Sequence, residues 1–96
     1  MSYANSFSLA GKVALVTGAN TGLGQGIAIA MAQAGADIVA VGRSEATETR
    51  RAVVEAGRRL HEIRADLGNS QASAQIVADA AAAAGRVDIL VNNAGV

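Results

Sequence analysis

Residues 17–26 read TGANTGLGQG, four glycines in ten positions, directly after the apolar run Val13-Ala14-Leu15-Val16. Glycine weakens strands and helices alike, so such a cluster implies that something must come close to the backbone. A strand, a glycine turn and a helix N-terminus together make an anion site, because unpaired N–H groups and the positive end of the helix dipole face the same spot. The bulk of a pyrophosphate fits where no Cβ intervenes. The loop is not a P-loop, since Gly24 is followed by Gln25 and Gly26 rather than by Lys and Ser/Thr. It is not G-x-G-x-x-G either, because Ile27 stands where the third glycine belongs. A methyltransferase-like G-x-G-x-G over residues 22–26 is disfavoured by residues 18–21, which separate it from the strand. Tight strand–helix packing alone would also ask for glycine here, so the loop needs support from elsewhere in the chain.

That support comes from two further places. Asp66-Leu67 follows a third apolar segment, and Asp88-Ile-Leu-Val-Asn92-Asn93-Ala94-Gly95 ends a fourth. The elements that would position them alternate in period. Short buried strands are expected at 13–16 and 38–41, a weaker outer strand at 60–65, interrupted by His61, Glu62 and Arg64, and a fourth at 87–91. Between them run three helices. The first presents Leu23, Ile27, Ala30, Met31 and Ala34 on one face and stops at Gly35. The second is capped by Ser44, with Glu45 in its first turn, and ends near Ala56 and Gly57. The third is capped by Asn69, presents Ile76, Val77, Ala80, Ala83 and Ala84, and ends at Gly85. The alternation predicts an α/β fold, a partial Rossmann-like doubly wound parallel sheet of strand order 3-2-1-4, whose nucleotide site lies at the C-terminal ends of strands 1 and 4.

Composition narrows the partners. The 96 residues are 51% hydrophobic and 2% aromatic, so Val, Ile, Leu and Ala must build the core. Eight basic residues balance eight acidic ones, which leaves no cationic stripe for nucleic acid or a membrane surface. There is no cysteine, and His61 is the single histidine, so no metal site is expected. The start of the chain lacks a signal-peptide pattern and no apolar run approaches a membrane span, so a cytoplasmic protein is expected.

TGANTGLG at 17–24, Asp66-Leu67 and NNAG at 92–95 resemble the short-chain dehydrogenase/reductases, in that family's order and at roughly its spacing. The resemblance covers the N-terminal, cofactor-binding part of the family's longer chain. It implies that Gly18, Asn20, Thr21, Gly22, Leu23 and Gly24 wrap the pyrophosphate and the adenosine ribose. It further implies that Asp66 faces the adenine amino group beside Leu67, and that Asn93, Ala94 and Gly95 line the far side. Asn92 is expected to tie neighbouring strands instead. Phe7-Ser-Leu9-x-Gly11-Lys12, Ala32-Gln-Ala-Gly35, Thr47-Glu-Thr49 and Gly57-Arg-Arg59 resemble the bacterial 2-deoxy-D-gluconate 3-dehydrogenases, which overlap with the 2-keto-3-deoxygluconate dehydrogenases. That likeness implies a sugar-acid substrate.

The cofactor is expected to be NAD or NADP. An acid at the end of strand 2 would hold the ribose 2′-hydroxyl, but Gly42 stands there, and Arg43 with Ser44 suits a 2′-phosphate. The sugar-acid relatives lean to NAD. The family's catalytic Tyr-x-x-x-Lys, serine and asparagine should follow NNAG. Tyr3 and Lys12, the chain's one tyrosine and one lysine, precede the first strand, so no catalytic residue is assigned. Residues 1–96 therefore read as the N-terminal dinucleotide-binding part of a single Rossmann domain whose C-terminal half is missing, with an apolar strand edge at 89–91. Alone it would bind without turnover, or act as a sheet-edge interaction fragment. The full-length form is expected to be a homo-oligomer.

Overall fold

The computed structural model describes residues 8–20, 22–65 and 72–93. The elements run β1 (Val13–Thr17), α1 (Gly22–Gln33), β2 (Asp37–Gly42), α2 (Thr47–Glu55), β3 (Leu60–Arg64), α3 (Ala72–Ala84) and β4 (Ile89–Val91). All pairings are parallel and the order is β3-β2-β1-β4, as the alternating periods predict. Every residue of β1 is buried, which is why its apolar run shows no alternation.

The pleat divides the core in two. Ala14, Val16, Ile38 and Ala40 face α1 and α2, while Val13, Leu15, Val39 and Val41 face Ile76 and Ala80 of α3. Helices thus cover both faces of the sheet. Side chains such as Leu15 and Ile38, each about 1% exposed or less, contribute roughly 1.5–3 kcal/mol apiece by burial.

Three local expectations are corrected. The inward face of α1 is Gly24, Ala28 and Ala32, flanked by Met31, whereas Leu23 is 73% exposed and Ala30 also faces solvent. The helix lies against Ala14 and Ala40, and small residues on both sides let it approach the sheet where larger ones would hold it off. In α3 the buried positions are Ile76 and Ala80 with Ala84 packed beside them, and Val77 and Ala83 point outward. Ser44 does not cap α2. The helix starts at Thr47 after Ala46, and Glu62 on β3 supplies the cap by accepting the Ala46 N–H at 2.9 Å. The same carboxylate takes the Arg50 guanidinium at 2.6 Å, and these partners, the Ala46 N–H first, hold the Glu62 carboxyl below its ordinary range. Asn69, the expected cap of α3, lies outside the described residues. The helices end short of Gly35, Gly57 and Gly85, each at positive φ, as expected.

β4 is shorter than its apolar run because Asp88 is used differently. Its backbone N–H donates to the Val13 carbonyl at 2.9 Å, while its carboxylate accepts the Val13 N–H at 2.8 Å. Arg86 pairs with the other oxygen at 2.7 Å. Arg86 first, then the Val13 N–H, lowers the Asp88 pKa. This clamp joins β4 to the start of β1, at the end of the sheet away from the glycine loop. Among the described strands β4 is an edge, and Leu90, which shares the Leu15 side of the sheet where α3 packs over β2 and β3, is 60% exposed.

Candidate functional site

The C-terminal ends of β1, β2 and β4 converge on the turn at residues 18–20. Gly18 takes φ +64° and donates its N–H to the Val41 carbonyl at 2.8 Å, so the turn leans over the end of β2. α1 begins at Gly22, at φ +58°, with nothing within 4 Å of where a Cβ would stand. The amides of the first turn have no partner within the helix. The residues therefore fit an anion: the donors are backbone N–H groups at a helix start that opens on a glycine.

Gly24 has a different task. A Cβ on it would stand 2.0 Å from the Gly18 carbonyl oxygen and 2.6 Å from the Asn93 side-chain nitrogen. The first turn of α1 thus rests directly on the loop's backbone, with Asn93 from the end of β4 against the same spot. The protein's own packing requires glycine here.

Two side chains fasten the loop to the segment after β2. Asn20 donates from its amide to the Ser44 hydroxyl, and its Oδ1 lies 3.3 Å from where a Gly42 Cβ would be. An amide from the first loop thus occupies the place where an acidic side chain at 42 would project. The Thr49 hydroxyl of α2 donates to the Ala19 carbonyl at 2.6 Å. Across the other side, Thr17 Oγ1 is 3.3 Å from the Val91 carbonyl and 3.2 Å from Asn92 Oδ1, so Asn92 ties β1 to β4 as expected.

Of the residues expected at the site, Gly18, Asn20, Gly22, Leu23, Gly24, Arg43, Ser44 and Asn93 are described, and the fold brings them to this one end of the sheet. Arg43 and Ser44 are exposed beside the loop, and Leu23 stands exposed at its rim. Thr21, Asp66, Leu67, Ala94 and Gly95 lie outside the described residues. Thr49 was missed as a support. Its signal was spacing: it stands four residues before Val53, on the helix's buried face. Among the described residues no group of His, Cys, Asp or Glu could hold a metal ion, and no helix is long and apolar enough to cross a membrane.

The family profile described as short chain dehydrogenase matches residues 12–96. A 2-dehydro-3-deoxy-D-gluconate 5-dehydrogenase of Dickeya dadantii is 51% identical over 92 residues, which are 96% of this chain and 36% of that protein. Among solved structures, a 3-oxoacyl (acyl-carrier-protein) reductase from Agrobacterium tumefaciens with NADP bound superposes with a TM-score of 0.87 at 34% identity, covering 97% of this chain and 36% of that one. Carveol dehydrogenase from Mycobacterium avium, in complex with NAD, gives 0.81 at 33% identity, covering 92% and 37%. The chain spans about a third of the length of the curated relatives it matches.

Proposed function

The chain belongs to the short chain dehydrogenase family, and from that premise we propose that residues 1–96 are the dinucleotide-binding part of an NAD(P)-dependent oxidoreductase acting on a sugar acid. The observation that carries the reading is the helix start at the positive-φ Gly22, set beside a loop that Gly24 lets pack on its own backbone. In this reading the amides from Gly18 to Gly24, with Asn20 and Thr21, hold the pyrophosphate and ribose. Leu23 covers the ligand's apolar flank. Asp66 and Leu67 meet the adenine, and Asn93, Ala94 and Gly95 close the far side. The bound dinucleotide would supply or accept the hydride at its nicotinamide.

Arg43 and Ser44 face the ribose 2′ position. No carboxylate stands at Gly42 to take the two hydroxyls of a diol, and the Arg43 guanidinium and Ser44 hydroxyl are donors that suit a phosphate better. The reading therefore favours NADP over NAD. Structures of similar proteins hold one or the other. For the substrate, relatives at about half identity are named as acting on 2-dehydro-3-deoxy-D-gluconate. Their names give position 5, so the proposed oxidation site moves to carbon 5 from the carbon 3 that the sequence likeness suggested.

Proton transfer to a carbonyl is not assigned to any described residue. Lys12 sits before β1, where its carbonyl accepts the Asp37 N–H at 3.0 Å, at the far end of the sheet from the loop. Titrating the chain with NADP and with NAD by calorimetry, with amide shifts recorded, tests the reading. Saturable binding that perturbs residues 18–24, tighter for NADP, is the expected result. Binding of neither, or shifts confined to another surface, would sink it.

A further inference from the structure

Thr49 is a wholly buried polar side chain in the first turn of α2, a stretch that sequence likeness alone had singled out. Its hydroxyl donates to the Ala19 carbonyl at 2.6 Å, across 30 residues of sequence. Ala19 is also fully buried, so that carbonyl has no water to turn to. Burying a hydroxyl is unfavourable unless it is paired, and valine would fill the same space without that cost. Packing therefore does not account for threonine at this position, whereas the bond does.

We infer that Thr49 is a positioning residue for the dinucleotide loop, holding the Ala19–Asn20 peptide in the orientation that turns the Asn20 N–H outward from α2. A trans peptide is planar, with its C=O and N–H pointing in opposite directions, so fixing one fixes the other. The neighbouring ties do not duplicate this. Gly18 is held through its own N–H to Val41, and Asn20 through its side chain to Ser44. The Thr49 bond acts on the peptide between them. The second crossover helix thereby sets the aim of a loop that belongs to the first. The inference rests on the proposed dinucleotide site for its functional meaning, but its physical content is readable without ligand.

The test compares the chain with Thr49→Val and Thr49→Ser by amide hydrogen exchange and by titration with NADP. Thr49→Val is expected to speed exchange at residues 18–20 and 22 about tenfold, while amides of β3 and α3 stay within about twofold. NADP affinity should fall about three- to tenfold. Thr49→Ser keeps the hydroxyl and should match the parent chain at the loop within about twofold. Unchanged loop exchange in Thr49→Val overturns the inference, as does loop exchange in Thr49→Ser raised like that of valine. The serine result decides the matter by itself if the valine chain does not fold. Failure of the parent chain to bind NADP would instead refute the dinucleotide reading, and the exchange comparison would still judge Thr49.

Discussion

Two glycines two residues apart in α1 are expected to respond to alanine in opposite directions. At Gly24 the new Cβ would lie 2.0 Å from a backbone carbonyl oxygen, more than an ångström inside ordinary contact. The Asn93 amide can swing aside, but the Gly18 carbonyl is backbone, held between a peptide bonded to Val41 and one bonded to Thr49. Overpacking a site costs about 1–3 kcal/mol when neighbours can give, and here they cannot, so about 3 kcal/mol is expected for Gly24→Ala. In a chain of this size that lowers Tm by about 12–24 °C. Gly26 has nothing within 4 Å of its would-be Cβ. There alanine only removes backbone freedom from the unfolded chain and adds helix propensity, a gain of about 0.5–1 kcal/mol. Urea unfolding of the two variants beside the parent chain measures both numbers. If Gly24→Ala and Gly26→Ala shift the midpoint alike, the helix does not rest on the loop as described and the account of Gly24 is wrong. In Gly24→Val the same clash would force the loop off the helix, so dinucleotide binding should be lost along with stability.

Other outcomes stem from the clamps. Glu62→Ala removes both the acceptor for the Ala46 N–H and the partner of Arg50, and should cost about 1–2 kcal/mol in urea unfolding, most of it from the cap because the ion pair is partly exposed. Glu62→Gln, which keeps an acceptor oxygen, should cost less than the alanine change. The Glu62 and Asp88 carboxyls are both lowered in the folded chain. Their contribution is therefore present above the ordinary carboxylate range and lost as pH falls through it, so Tm should drop below about pH 4.5. Asp88→Asn should flatten that acid limb, and an unchanged limb would remove Asp88 from the explanation. Leu90→Lys, at an exposed edge position, should leave Tm within about ±0.5 kcal/mol equivalent. It should also reduce any concentration-dependent sedimentation, and association that persists unchanged would mean the edge at Leu90 is not what sticks.

The sheet was legible because its signal is local. Val13 to Val16 and Ile38 to Val41 are unbroken apolar runs, and glycine-bounded helical stretches between them allow few topologies. The inward face of α1 was not, since Gly24, Ala28 and Ala32 carry almost no hydrophobic contrast. Periodicity followed the larger Leu23 and Ile27, although close approach to Ala14 and Ala40 selects for smallness. The caps and clamps escaped for another reason. Glu62 reaches α2 from the next strand, and Asp88 reaches Val13 across 75 positions, so neither partner has a neighbour in sequence to reveal it. Asn20 was legible as part of the loop, but its lie across Gly42 depends on how two strand ends are stacked.

The strand order also carries a consequence in time. β1 precedes the other strands along the chain yet lies inside the sheet, pairing Val13 with Asp37 on one side and Ala14 with Ile89 on the other. The second pairing closes a loop about three times longer than the first, at an extra entropic cost of about 1 kcal/mol. On a ribosome adding about 5–20 residues per second, the delay between the two partners is on the order of several seconds. Through that interval an apolar strand has one ladder side satisfied and the other open, when a nascent chain is most exposed to pairing with the wrong neighbour. The Asp88 carboxylate then meets the first free donor on that side, the Val13 N–H. Of the two inner strands described, the first to be made is the last to be enclosed.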